Sequence, residues 1–115
     1  MENIFVYGSL QTDGDNYDIM RTACGEFLYA CDTVDPYLVI DIKDGYGTVL
    51  YPAAIWGAEK YEDTVTGQLF EVPEAFMEVL DSFESGFTRS EVQVEIENTI
   101  TTAWMYFLDD MEMAA

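Results

Sequence analysis

The stretch "IFVYGSL", residues 4–10, decides how the rest of the chain is read. Ile4, Phe5 and Val6 have the apolar run of a short buried strand, over residues 3–7. The run ends at Gly8-Ser9 and the chain then turns polar. Two readings stay open at this point. One is an ordinary turn. The other is a backbone pocket whose successive N–H groups hold an anion.

The bulk properties frame that choice. At 115 residues the chain is sized for one domain with a single core. A domain over 1–108 followed by an acidic tail, "DDMEMAA" at 109–115, is the expected organisation. Aromatic residues are abundant, which speaks against disorder. No stretch approaches the roughly 20 apolar residues of a membrane helix, and the start lacks the basic-then-apolar pattern of a leader. Cys24 and Cys31 are too few for a disulfide framework and read as free thiols in a reducing compartment. A cytoplasmic protein is expected. There is no histidine, so a Ser-His-Asp or Cys-His mechanism has no base within this chain.

Charge is the anomaly. Twenty-three acidic residues against four basic ones give a net charge of -19. That argues against binding nucleic acid or an anionic membrane through charge attraction. It fits a solubility role, a high-salt interior, or a partner with a basic surface.

Outward from residues 3–7, "NYDIMRTAC" spaces Tyr17, Met20 and Cys24 as a helix over 15–24, with Asp15 as its N-cap. "YLVIDI" (37–42) and "TVLYPAAIW" (48–56) read as strands joined by "KDGYG", with Pro52 at a bulge, an edge or a strand end. "TVTGQLFEV" (64–72) is a further strand, where Gly67 signals a bulge or a close backbone approach. Pro73 opens a helix over 73–84 whose apolar stripe is Phe76, Val79, Leu80 and Phe83, with Gly86 as its left-handed stop. "EVQVEIE" (91–97) and "TITTAWMYFL" (99–108) form a hairpin about Asn98. Six strands and two helices, in mostly antiparallel order, predict an α+β domain on a barrel-like sheet.

On the 73–84 helix, Glu74, Glu78 and Asp81 fall away from the stripe and face water. Glu84 lies about 80° from Phe76, at the stripe's edge. Desolvation there raises a carboxyl pKa toward the range useful for proton transfer. The competing reading is a stabilising ion pair with Arg89, five residues on.

These pieces together resemble the γ-glutamylcyclotransferase-like (AIG2-like) family. The matching segments are "FVYGSL" (5–10), "YPAAI" (51–55), "VTGQLFEV" (65–72), "LDSFE" (80–84), "FTRSEVQVEI" (87–96) and "AWMYF" (103–107), in the family's order and across most of the chain. The resemblance implies a small mixed barrel with flanking helices. It implies that Tyr7, Gly8, Ser9 and Leu10 cradle a γ-glutamyl substrate and that Glu84 is the general acid/base. Intramolecular attack then releases 5-oxoproline and a free amine or amino acid, with no metal or cofactor. Tyr51 and Arg89 are further candidates for the substrate site. The segment "SGFT" between Glu84 and Arg89 is shorter than the family's usual Pro-containing loop, so the role of Arg89 stays open between orienting Glu84 and fixing the loop. The acidic stretch after "YGSL" favours a departing group that is neutral or cationic over a glutathione-like one. Ser9 reads as a hydrogen-bonding turn residue, since no base adjoins it. The alternative function is an acidic interaction protein on the same fold, imitating DNA for a basic partner.

Overall fold

The computed structural model describes residues 1–56 and 63–109. The elements run β1 (Glu2–Val6), α1 (Tyr17–Thr22), β2 (Glu26–Tyr37), β3 (Val39–Lys43), β4 (Val49–Trp56), β5 (Asp63–Val72), a 3-10 turn (Glu74–Phe76), α2 (Met77–Phe83), β6 (Thr88–Ile96) and β7 (Thr99–Asp109). The acidic tail expected past β7 lies outside the described residues. Among the described residues no helix is long and apolar enough to cross a membrane.

The sheet order is β1-β5-β2-β6-β7-β4-β3, and β1 also pairs with β7. That extra pairing closes a ring of β1, β5, β2, β6 and β7, with the β3–β4 hairpin as an extension. Only the β1–β7 and β4–β7 pairings are parallel. The expected α+β barrel is borne out, with seven strands in place of six.

β1 explains why its sequence is apolar without alternation. Strands flank it on both sides and both of its faces are covered, so Ile4, Phe5 and Val6 are all buried. Phe5 enters the barrel with Cys31, Val65, Leu69, Val92, Val94, Ala103, Met105 and Phe107. Ile4 and Val6 point the other way, into a layer with Phe70, Val72, Met20, Met77 and Leu80 that the helices cover. The same period of two sorts β5 and β7 between the two cores. Gly67 marks a close approach, not a bulge: its register is unbroken, and a Cβ there would strike the Val6 carbonyl and the Phe5 ring.

β2 was not expected from the sequence. Only Cys31 and Thr33 are buried along its twelve residues. Register shifts against β5 occur between Phe27 and Tyr29 and between Asp32 and Pro36. At the second shift the Thr33 hydroxyl replaces the broken ladder, accepting from Val65 N–H at 2.8 Å and donating to the Asp35 carbonyl at 2.7 Å. Cys24 and Cys31 are free thiols. Burial and then the Asp32 charge push the Cys31 thiol up to about 11.

Three local expectations are corrected. The first helix starts at Tyr17, because Asn16 is tied back to Ser9 through both its backbone N–H (3.0 Å) and its side chain (2.9 Å). Asp15 is therefore not its N-cap. The stripe of α2 slips by one residue: Met77 and Leu80 are buried, while Phe76 and Phe83 are 41% and 38% exposed. Phe76 belongs to a 3-10 turn, which advances about 120° per residue where an α-helix advances about 100°, so it is out of step with the helix that starts at Met77. Asp81, placed in water by the wheel, is engaged with β6 and β7 instead. The β6–β7 hairpin does turn at Asn98, through two left-handed residues, Glu97 and Asn98 (φ 47° and 68°).

Candidate active site

A cavity of about 260 Å³ opens where the end of β1, the start of β4, the end of α2 and β7 converge. It is lined by Tyr7, Gly8, Ser9 and Leu10, by Tyr51 and Pro52, and by Phe83, Glu84 and Phe87, with Tyr106 and Asp15. Six of the seven residues singled out in the sequence thus share one cavity. The seventh, Arg89, lies in a neighbouring hollow with Glu2, Glu74, Glu78, Asp81 and Trp104.

The slipped helix decides where Glu84 goes. It follows Met77 and Leu80 at i, i+3, i+7, on their buried stripe, and its N–H still closes the last turn onto the Leu80 carbonyl at 2.8 Å. The chain then leaves the helix, with the Phe87 N–H on the Glu84 carbonyl and Gly86 at φ 93°. Among the described residues none makes a hydrogen bond or ion pair with the Glu84 carboxylate. Burial alone pushes its pKa up to about 7.

The ion pair that would have quenched it is made elsewhere. Arg89 Nε lies 2.7 Å from Asp81 Oδ1, and its Nη2 donates to Oδ2 at 3.0 Å. The Tyr106 hydroxyl donates to Asp81 at 2.7 Å. The guanidinium stands 4.9 Å from the Trp104 ring centre, and Trp104 Nε1 donates to Glu2 at 3.2 Å.

The "YGSL" segment builds the opposite wall. The Tyr7 hydroxyl accepts from Ala54 N–H at 2.8 Å and donates to the Tyr106 carbonyl at 3.1 Å, bridging β4 and β7 just before their own pairing begins at Ala54 and Phe107. Burial raises its pKa further above the ordinary tyrosine range. What Tyr7 presents to a ligand is therefore its ring. The Gly8 and Ser9 carbonyls are taken by Gln11 and Asn16. Among the described residues none accepts from the N–H groups of Gly8, Ser9 and Leu10. A Cβ on Gly8 would touch the Pro52 ring at an ordinary 3.5 Å, so the turn itself does not require glycine. The missing side chain keeps the cavity open. Ser9 Oγ accepts from Asn16 Nδ2. At the mouth, Tyr51 stacks edge-on against Phe87 with ring centres 5.9 Å apart.

Sequence reasoning did not single out Asp15 or Phe83 as wall residues. The acidic loop was visible, but not that a turn at residues 11–16 folds Asp15 back over Ser9. The two formally charged lining residues are Asp15 and Glu84, both acidic.

A family model described as gamma-glutamyl cyclotransferase, AIG2-like, matches residues 4–114. Among solved structures, the chain is similar to an AIG2-like protein from Mus musculus, at 24% identity and TM-score 0.78, covering 93% of this chain and 76% of that one. It is also similar to YkqA from Bacillus subtilis, at 24% identity and TM-score 0.71, covering 93% of this chain but 35% of that one. The fold recurs within the Kluyveromyces lactis urea amidolyase, at 12% identity and TM-score 0.76, covering 96% of this chain and 6% of that one. At these identities the structural likeness is one of fold. No curated protein matches the chain by sequence.

Proposed function

The chain belongs to the gamma-glutamyl cyclotransferase, AIG2-like family, and we propose that it releases 5-oxoproline and a free amine from a γ-glutamyl amide, with Glu84 as general acid/base. One observation carries the reading. A carboxyl free of ion pairs among the described residues, with its pKa raised to about 7, faces a small cavity across from a backbone segment with uncommitted N–H groups.

The chemistry follows from those parts. The N–H groups of Gly8, Ser9 and Leu10 hold the α-carboxylate or polarise the γ-carbonyl oxygen. Glu84, ionised, takes a proton from the substrate's α-ammonium. The amine nitrogen attacks the γ-carbonyl carbon, closing a five-membered ring, and the amide C–N bond breaks. Over the cycle the ring nitrogen gives up two protons and the departing nitrogen gains two, so the carboxylate ends as it began. A pKa near the working pH suits a group that must both take and return a proton. Holding the ring-closing conformer supplies much of the acceleration.

Asp15 and Glu84 give the cavity a negative field, and the mouth is apolar at Leu50, Tyr51 and Phe83. The departing group is therefore a neutral or cationic amine in preference to an anionic peptide. The alternative, an acidic decoy for a basic partner, turns on whether the exposed carboxylates of β2, β3, β5, β6, the helical segments and the loops form rows like DNA phosphates.

The test is 5-oxoproline release from γ-glutamyl amines, γ-glutamyl amino acids and glutathione, with Glu84→Gln alongside. Release from the amines, lost in the variant, is the expected result. No release across the panel from folded protein would remove the enzymatic reading.

A further inference from the structure

We propose that Asp81 is a positioning residue for Glu84: its carboxylate holds the Arg89 guanidinium and the Tyr106 hydroxyl in one fork and so denies both donors to Glu84. The inference rests on reading Glu84 as the base.

Asp81 and Glu84 stand three residues apart at the end of α2, a spacing that makes side chains neighbours. Two carboxylates so placed, with one guanidinium at hand, have two possible pairings. The sequence alone suggested the other one. In the structure Arg89 makes a two-point fork with Asp81, at 2.7 and 3.0 Å, and Asp81 Oδ1 also takes the Tyr106 hydroxyl at 2.7 Å. The Trp104 ring beneath the guanidinium limits its swing.

Tyr106 shows that both acids work on the same spot. Burial, then Asp81, raises its pKa, Arg89 opposes this, and Glu84 adds to it. The hydroxyl is thus within the field of Glu84 yet donates to Asp81. Besides Tyr106, the other titratable groups lining the Glu84 cavity among the described residues are Tyr7 from the end of β1, Asp15 from the following loop and Tyr51 from β4. None of these is a cation. Arg89 on β6, bound to Asp81 three residues before Glu84, is the cation that release from Asp81 would make available to Glu84.

The consequence is a set of opposite signs. Removing the Asp81 charge frees Arg89 to pair with Glu84, which lowers the Glu84 titration midpoint. Removing Arg89 leaves the Asp81 charge unbalanced beside Glu84, which raises it. Removing both returns it toward the wild-type value. The pair is partly exposed, with side chains 27% (Arg89) and 40% (Asp81) accessible, so these changes cost little stability.

The experiment follows the Glu84 side-chain carboxyl carbon by NMR against pH, assigned by its loss in Glu84→Gln. Wild type, Asp81→Asn, Arg89→Gln and the double variant are compared. The expected midpoints fall by about one pH unit in Asp81→Asn, rise in Arg89→Gln and recover in the double variant. Equal midpoints in wild type and Arg89→Gln, or a rise in Asp81→Asn, would overturn the proposal. If Asp81→Asn does not fold, the rise in Arg89→Gln decides alone. The titration needs no substrate, so its outcome is independent of whether any γ-glutamyl compound is turned over. Where turnover is seen, the pH–rate limb of each variant moves with its midpoint.

Discussion

Two hollows meet at the end of α2, and each contains a carboxylate from that helix. Around Asp81 the carboxylate is saturated: a guanidinium, a tyrosine hydroxyl and an indole ring are locked together. Around Glu84, one turn on, the described residues supply neither cation nor donor, and burial dominates. The same type of side chain on the same helix is held in a clamp in one place and, in the function proposed, carries a proton in the other. Partner supply, not residue type, separates them.

That contrast can be broken in several ways. The largest effect is expected from filling the working hollow. Gly8→Ala folds, since Gly8 is not at positive φ and a Cβ there meets Pro52 at an ordinary 3.5 Å, but kcat/KM falls by roughly 10²-fold because the substrate is displaced. Circular dichroism and 5-oxoproline assays read the two halves. Next, kcat/KM rises about tenfold per pH unit up to a midpoint near 7 and then levels, as expected of a carboxyl pushed up to about 7. A rise with its midpoint near pH 4.5 would mean that Glu84 is not desolvated in solution.

The same group affects stability with a definite sign. Folded Glu84 binds its proton more tightly than unfolded Glu84, so the Glu84 contribution to stability falls as pH rises from 4.5 to about 7 and is flat beyond. Relative to Glu84→Gln, wild type loses on the order of 2 kcal/mol between pH 4.5 and pH 8, read by denaturant melts at each pH. The smallest effect is at the rim. Asp15→Asn weakens turnover of cationic γ-glutamyl amines about two- to five-fold and leaves neutral ones unchanged, since Asp15 is exposed and screened. A KM comparison across the two substrate classes reads it.

How much of this was legible in the sequence depended on periodicity. β5, β6 and β7 place apolar residues at the strand period and β1 is a continuous apolar run, so their existence was plain. β2 was invisible because its outer face carries Glu26, Asp32 and Asp35, and its two register shifts break any alternation. The α2 wheel placed Glu84 at the edge of the buried stripe, and the structure places it on the stripe with Met77 and Leu80. The wheel counted the stripe from Phe76, which belongs to the 3-10 turn and is 41% exposed; counted from Met77, Glu84 falls within about 20° of the buried stripe. The partner of Arg89 could not be read locally. Choosing between Asp81 and Glu84 requires knowing that Thr88–Ile96 runs beside β7 with Arg89 opposite Tyr106. That is long-range information which neither helix nor strand period contains. At Gly8 the sequence left a turn or an anion pocket open, and the structure shows a glycine that a Cβ could replace at ordinary contact with Pro52.

The most direct test of the central claim is the rate of 5-oxoproline formation from one good γ-glutamyl amine at pH 8, wild type against Glu84→Gln. The account predicts a fall of roughly 10²–10⁴-fold with the fold intact. A Glu84→Gln protein that keeps most of the wild-type rate would contradict it.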